Sequence, residues 1–180
     1  MKFIKNKIEG LVVVEPKIFE DDRGYFYESY NYDLFKENGI KDIFVQDNES
    51  LSQKKVLRGL HFQRPPFSQA KLIRVVQGKV LDVAVDLRKE SKTYGEHYSI
   101  ELSGDNKKMF FIPEGFAHGF LTLEDNTIFS YKCSNVYNKE SEDSLFWKDK
   151  DLNIDWGVED PLLSGKDNLA KGFNEFETQF

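Results

Sequence analysis

The sequence predicts an all-β domain, a sandwich or barrel of short antiparallel strands, and three observations carry that expectation. Apolar runs of strand length recur down the chain, and turn chemistry separates them: Ser103-Gly104-Asp105-Asn106, Pro113-Glu114-Gly115 and Glu124-Asp125-Asn126. Aromatic residues are plentiful, 16 Phe and 8 Tyr, while 12 Gly and 5 Pro mark frequent turns. Many short strands at this spacing make a sandwich or a barrel.

Taken in order, Leu11 to Val14 is a short apolar run, and Asp22 to Glu28 reads as a turn followed by a strand. Asn31 to Asn38 is the helix candidate, with Asn31 as N-cap and Gly39 closing it. Phe44 to Asn48 runs into a polar strand end. Val56 to Gln63 is an apolar run carrying an arginine, a histidine and a glutamine. Lys71 to Val76 leads through Gln77-Gly78 into Val80 to Leu87, a pattern that predicts a hairpin with Gly78 in the turn. In its second arm Leu81, Val83, Val85 and Leu87 share one face, and Asp82, Ala84, Asp86 and Arg88 the other. Further strands are expected over Tyr98–Leu102, Lys108–Ile112, Phe120–Leu123 and Ile128–Cys133. Beyond Asp143 the chain is polar, turn-rich and spotted with aromatics, and periodicity says little. With no repeat or linker in view, residues 1–180 read as one domain.

Composition narrows the function. A net charge of -6 and a pI near 5.2 argue against an extended nucleic-acid surface but leave room for a local basic pocket. Cys133 is the lone cysteine, so neither an intrachain disulfide nor a thiolate-rich metal site can form. Leu11 to Val14 is too short for a signal-peptide core or a membrane span, so a soluble cytoplasmic protein is expected, with no membrane partner.

Five clusters bear chemistry. Val56-Leu-Arg-Gly-Leu-His-Phe-Gln63 places Arg58, His61 and Gln63 in a run that would normally be buried, which is costly unless they meet partners. One reading is a ligand in a barrel mouth, with His61 as a base and Arg58 gripping an anion; the other is a core histidine bonded to a backbone carbonyl. Strict alternation would turn Arg58 away from His61, unless Gly59 permits a bulge. The same cluster continues through Pro65-Pro66 to Lys71, which opens an aliphatic strand as an edge charge or as a cation aimed inward. Asp22 to Glu28 puts a cation, an aromatic and a carboxylate in one turn and strand, Arg23, Tyr25 and Tyr27 on one face and Phe26 with Glu28 on the other, and alone it reads as a hairpin rim. Gln46 and Asn48 offer amides, or simply a polar strand end. His118 follows a Pro-Glu-Gly turn, and Tyr131 shares a face with Phe129. Metal is disfavoured, because there is no His-x-His pair and His97 sits in a polar stretch. No glycine-rich phosphate loop opens a helix.

Read together and in order, these pieces resemble the dTDP-4-dehydrorhamnose 3,5-epimerase family. The likeness rests on Asp22-Arg23-Gly24, Phe44 to Asn48, Leu57 to Gln63, Lys71-Leu72, Asp82 to Arg88, Ile112 to Phe120, Tyr131-Lys132, Trp147 with Asp149, and Leu163 to Asp167. It departs at Ala70, where the family usually has glycine, and at Gly157, where it usually has proline. The resemblance implies a cupin-like antiparallel β-barrel (jelly roll) with short peripheral helices, and a homodimer exchanging N-terminal strands. It implies no metal or organic cofactor. The substrate implied is dTDP-4-dehydro-6-deoxy-glucose, on the way to dTDP-L-rhamnose. The family's base matches His61, its orienting carboxylate Asp167, its acid Tyr131, and Lys71 the lysine near the C4 carbonyl. Arg58, His118, Glu142 and Lys166 match substrate contacts. Arg23, Phe26, Glu28, Gln46 and Asn48 match residues that hold the nucleotide, partly from the partner subunit.

The chemistry suits these residue types. Protons at C3 and C5 flank a C4 ketone, so removal of either gives an enolate. A histidine steadied by a carboxylate is a base poised near neutral pH, and a lysine at the ketone oxygen stabilises charge as it develops. Two other readings stay open: a 3-epimerase of a related dTDP-4-keto sugar, and a sugar-nucleotide-binding cupin without catalysis.

Overall fold

The computed structural model describes residues 1–180, and two antiparallel sheets face each other across an apolar core. The strands are β1 (Lys2–Lys5), β2 (Val12–Glu15), β3 (Phe19–Asp21), β4 (Gly24–Phe26), β5 (Gln46–Ser52), β6 (Leu57–Gln63) and β7 (Lys71–Gln77). They continue with β8 (Lys79–Asp86), β9 (His97–Ser103), β10 (Met109–Ile112), β11 (Phe116–Thr122), β12 (Thr127–Cys133) and β13 (Glu142–Ser144). One sheet runs β1-β2-β10-β7-β12-β5, the other β13-β6-β11-β8-β9, and β3 with β4 forms a separate hairpin. This is the expected all-β barrel with few helices. No helix is long and apolar enough to cross a membrane.

Three apolar clusters stack through the molecule. The central one, between the sheets, holds Ile73, Val75, Phe110 and Phe129 from one side and Val80, Ala84, Leu102 and Phe120 from the other. Behind the second sheet, Leu57, Val83, Val85 and Leu87 pack against Trp147, Leu152 and Trp156 of the C-terminal segment. Behind the first, Val14, Leu72 and Phe111 meet Phe35 and Ile40. The alternation in β8 is therefore real, and the face bearing Asp82 and Ala84 is the one turned into the barrel. The poorly periodic tail is anchored by aromatics rather than by strand pattern; Trp156 donates its indole N–H to the Trp147 carbonyl at 2.8 Å.

Helix α1 (Tyr32–Glu37) starts as expected, with the Asn31 side chain accepting from Leu34 N–H at 3.2 Å. The hairpin expected across Gly78 does not form. Strand β7 pairs with β10 and β12, whereas β8 pairs with β9 and β11, so the chain changes sheets at Gly78. Both edges of β7 are already occupied, and Gly78, at φ +76°, packs against Thr127 where a side chain would not fit. The turn residue was readable; which sheet received the next strand was not. Strand β11 also starts four residues before the expected Phe120, so His118 lies within it.

Candidate active site

A cavity of about 550 Å³ opens between the sheets, and Arg58, His61, Lys71, His118 and Tyr131 all line it, with Asn48, Ser50, Phe120, Phe129 and Asp167. Strand geometry explains the convergence. His118 lies opposite His61 across the β11–β6 pair, and Phe120 lies opposite Arg58. Two steps along β11 thus match three along β6, a bulge at Gly59 and Leu60. The bulge puts Arg58 and His61 on the same cavity wall. Gly59 sits at φ +145°, with Gly119 so close behind it that a Cβ would strike the Gly119 backbone.

On the facing sheet Lys71 lies beside Cys133, and Tyr131 lies between Asn48 and Ile73. Lys71 Nζ stands 6.0 Å from the Tyr131 ring centroid. Of its two possible placements, Lys71 has the inward one. Burial pushes its ammonium below the ordinary lysine range, against the pull of Cys133, Asp82 and Glu142. Burial pushes the Tyr131 phenol up, reinforced by Cys133 and Glu142 and opposed by Arg58.

His61 Nε2 meets Asp167 Oδ1 at 2.6 Å, and the Asp167 side chain is 3% exposed against 32% for His61. Asp167 arrives on a one-turn helix, α2 (Gly165–Asn168), capped by Ser164, whose hydroxyl donates to Asp167 Oδ2 at 2.8 Å. Two backbone bonds fasten the segment to the barrel, Leu57 N–H to the Leu162 carbonyl and Leu162 N–H to the Lys55 carbonyl. Burial raises the Asp167 carboxyl, but the His61 hydrogen bond and charge, Ser164 and Lys166 outweigh it, and the group lies below the usual carboxylate range. An ionised Asp167 can only accept, so His61 donates from Nε2 and keeps Nδ1 as the nitrogen able to take a proton.

A second histidine–carboxylate pair lies deeper. His118 Nε2 stands 3.0 Å from both oxygens of Asp82, which is fully buried. Burial pushes the His118 imidazole below its ordinary range, with Asp82 pulling the other way and Lys71 and His61 adding to the depression. Neutral His118 donates Nε2–H to Asp82. Sequence reasoning named His118 and missed Asp82; the available signal was a carboxylate on the alternating face of an otherwise aliphatic strand. The floor beside this pair is aromatic, with Phe120 stacked on Phe129 at 4.0 Å between centroids.

The remaining expected residues divide. Arg58 reaches Ser52 Oγ from Nε at 3.3 Å and from a terminal nitrogen at 3.2 Å, another partner that the sequence reading overlooked. Glu142 and Lys166 are joined to each other at 2.5 Å, with the Tyr137 hydroxyl donating to Glu142 at 2.9 Å. Burial raises the Glu142 carboxyl, but Lys166 and Tyr137 more than reverse it. Gln46 donates to Asn48 at 3.0 Å and receives the Tyr137 N–H. Arg23, Phe26 and Glu28 are not brought to this cavity. Arg23 pairs with Asp21, Phe26 is 71% exposed, and Glu28 receives the Asn31 amide. Nowhere in the chain do three or more His, Cys, Asp or Glu side chains converge as a metal site would require.

Comparison with known proteins shows the family. Residues 5–175 match the family model for dTDP-4-dehydrorhamnose 3,5-epimerase. A dTDP-4-dehydrorhamnose 3,5-epimerase of Methanothermobacter thermautotrophicus is 50% identical over 97% of this chain and 95% of its own. The crystal structure of a dTDP-4-dehydrorhamnose 3,5-epimerase from Elizabethkingia anophelis superposes with a TM-score of 0.93 at 50% identity, covering 97% of each chain. That of a dTDP-6-deoxy-D-glucose-3,5-epimerase from Legionella pneumophila, in complex with dTDP-4-keto-L-rhamnose, gives a TM-score of 0.94 at 48% identity, over 98% of this chain and 94% of the other.

Proposed function

The chain belongs to the dTDP-4-dehydrorhamnose 3,5-epimerase family, and from that premise we propose how its cavity divides the work. It is an epimerase of a dTDP-linked 4-keto sugar. It inverts C3 and C5 of dTDP-4-dehydro-6-deoxy-D-glucose to give dTDP-4-dehydro-L-rhamnose, a step in the formation of dTDP-L-rhamnose. One observation carries the assignment of roles: His61 stands on one sheet and Tyr131 on the sheet that faces it, with Lys71 beside the tyrosine. Inversion requires a proton to leave one face of the sugar ring and another to arrive on the opposite face.

His61 Nδ1 removes the proton next to the ketone, and Asp167 holds the ring and balances the imidazolium that forms. The electron pair moves to the C4 oxygen, where the Lys71 ammonium stabilises the enolate more than the ketone. Tyr131 returns a proton on the other face. One proton leaves and one arrives, so the step balances without an oxidant or reductant, and it asks for neither a metal nor an organic cofactor. His118, fixed by Asp82, and Arg58 hold the sugar and the diphosphate, and the paired Glu142 and Lys166 add further substrate contacts.

The active species in this reading is a homodimer. Arg23, Phe26 and Glu28 sit on an exposed hairpin and its flank, away from their own cavity, and they would complete the nucleotide site of the neighbouring chain. The single buried Cys133 fits a reducing compartment, and we place the enzyme in the cytoplasm. Incubation with the 4-keto sugar nucleotide in deuterated water tests the reaction. Two deuterons, at C3 and C5, are expected; one deuteron at C3 alone would reassign the chain as a 3-epimerase.

A further inference from the structure

We propose that Ser50 is a further substrate-binding residue, whose hydroxyl donates to the diphosphate held by Arg58; this rests on the function proposed above. Along β5 the side chains of Gln46, Asn48, Ser50 and Ser52 share the inward face, with Asn48 opposite Tyr131 and Ser50 opposite Phe129 on β12. Three of the four have partners. Gln46 bonds Asn48 and the Tyr137 N–H, Asn48 donates to Cys133 Sγ at 3.6 Å, and Ser52 anchors Arg58. Ser50 Oγ is buried and makes no hydrogen bond. Thr122 Oγ1 is the one other buried side-chain atom in that condition, and Thr122 is not in the cavity wall, whereas Ser50 is.

A buried hydroxyl without a partner is a net cost to the folded chain, and such groups in native proteins usually have a reason. Here the cavity supplies one. Phe129, across the strand pair, offers no acceptor, and Glu49, which also lines the cavity, makes no hydrogen bond with Ser50 Oγ. The neighbouring inward residue, Ser52, holds the guanidinium of Arg58, a planar donor suited to phosphate oxygens. A diphosphate only accepts hydrogen bonds, and an uncommitted O–H is the group that lacks an acceptor. Ser50 and Arg58 line the same cavity, so a phosphate seated on Arg58 shares it with the Ser50 hydroxyl.

The test compares wild type with Ser50→Ala in the full chain. Titration calorimetry with dTDP should show an affinity about 10- to 100-fold weaker in the variant, the scale of a lost hydrogen bond to a charged group. Inhibition by thymidine, which lacks phosphate, should be unchanged, and the KM for the sugar nucleotide should rise with the dTDP dissociation constant. The unfolding midpoint of the ligand-free variant should equal or exceed that of wild type, because an unpaired hydroxyl has been removed. Equal dTDP affinity in the two proteins overturns the proposal. So does a lowered midpoint with dTDP and thymidine weakened alike, which marks a structural serine, and so does a loss confined to the sugar nucleotide, which marks a sugar contact. If wild type itself fails to bind dTDP, the functional reading falls instead.

Discussion

Gly59 and Gly119 lie backbone against backbone: a Cβ on Gly119 would stand 3.0 Å from the Gly59 Cα and 2.9 Å from the Arg58 carbonyl oxygen. The contact lets β6 bulge while staying paired to β11, and the bulge is what turns Arg58 and His61 onto one wall. Gly59→Ala would force a side chain into that contact at φ +145°. A loss of at least about 2 kcal/mol is expected, from backbone strain and overpacking together, with activity falling further as Arg58 and His61 separate. Denaturant unfolding measures the first effect and kcat/KM the second. Wild-type stability in the alanine variant would contradict this account of the bulge.

Much of this site was legible because its residues violate the pattern of the strands that carry them. His61, Arg58 and Lys71 are polar groups in apolar runs, and each lines the cavity. Less visible were the partners. Asp82 hid in a regular alternation, and Ser52 and Ser164 hold Arg58 and Asp167 through hydroxyls that carry no sequence signal of their own. The hairpin expected at Gly78 failed for a related reason. A turn glycine fixes local backbone shape, while the choice of sheet is made by distant strands β10 and β12 claiming the edges of β7. Asp167 became readable only by family likeness, because its segment folds onto the barrel by tertiary contacts.

His61→Asn should lower turnover by about 10²- to 10⁴-fold, the usual worth of a general base, while dTDP affinity stays near that of wild type. Asp167→Asn should lower kcat by at least about 10-fold but by less than the His61 change, because the base survives without the charge that steadies its imidazolium. Steady-state kinetics and calorimetry on folded variants check both. Normal turnover by His61→Asn would remove the base from the mechanism.

The alkaline limit of activity should belong to Lys71. Burial lowers its pKa, so the ammonium that stabilises the enolate is lost as pH rises through a value below the ordinary lysine range. Tyr131 is shifted the other way and stays protonated there. Lys71→Arg, with a guanidinium that does not titrate in this range, should be slower yet lose its alkaline limb in a plot of kcat/KM against pH. An unmoved limb would transfer the assignment to another group. On the acid side, Asp86 and Asp167 have folded pKa values below their unfolded ones. Their stabilisation is present above the unfolded value and disappears as pH falls through the folded one, so unfolding midpoints should drop below about pH 4.

Sites shared across a homodimer would show complementation. A chain with Arg23→Ala mixed with a chain with His61→Asn should recover about one working site per heterodimer, since two-fold symmetry lets one interface combine intact His61 with the other chain's intact Arg23. Each parent alone should be nearly inactive. No recovery after verified subunit exchange would place Arg23 outside the neighbouring site.

Tyr131→Phe separates proton removal from inversion. Because His61 and Tyr131 stand on facing sheets, loss of the phenol leaves the base able to take a proton and return it to the face it came from. Exchange of the abstracted position with deuterated water should therefore continue, slowed less than epimer formation, as the imidazolium trades its proton with solvent before giving it back. Removing an acid catalyst costs about 10²- to 10⁴-fold in the step it serves, so inversion should fall by that factor and the ratio of exchange to inversion should rise. Mass spectrometry follows deuterium and NMR follows the epimers in one reaction. If exchange and inversion fall together in the phenylalanine variant, Tyr131 is needed for abstraction as well, and the division of labour between the two sheets is wrong.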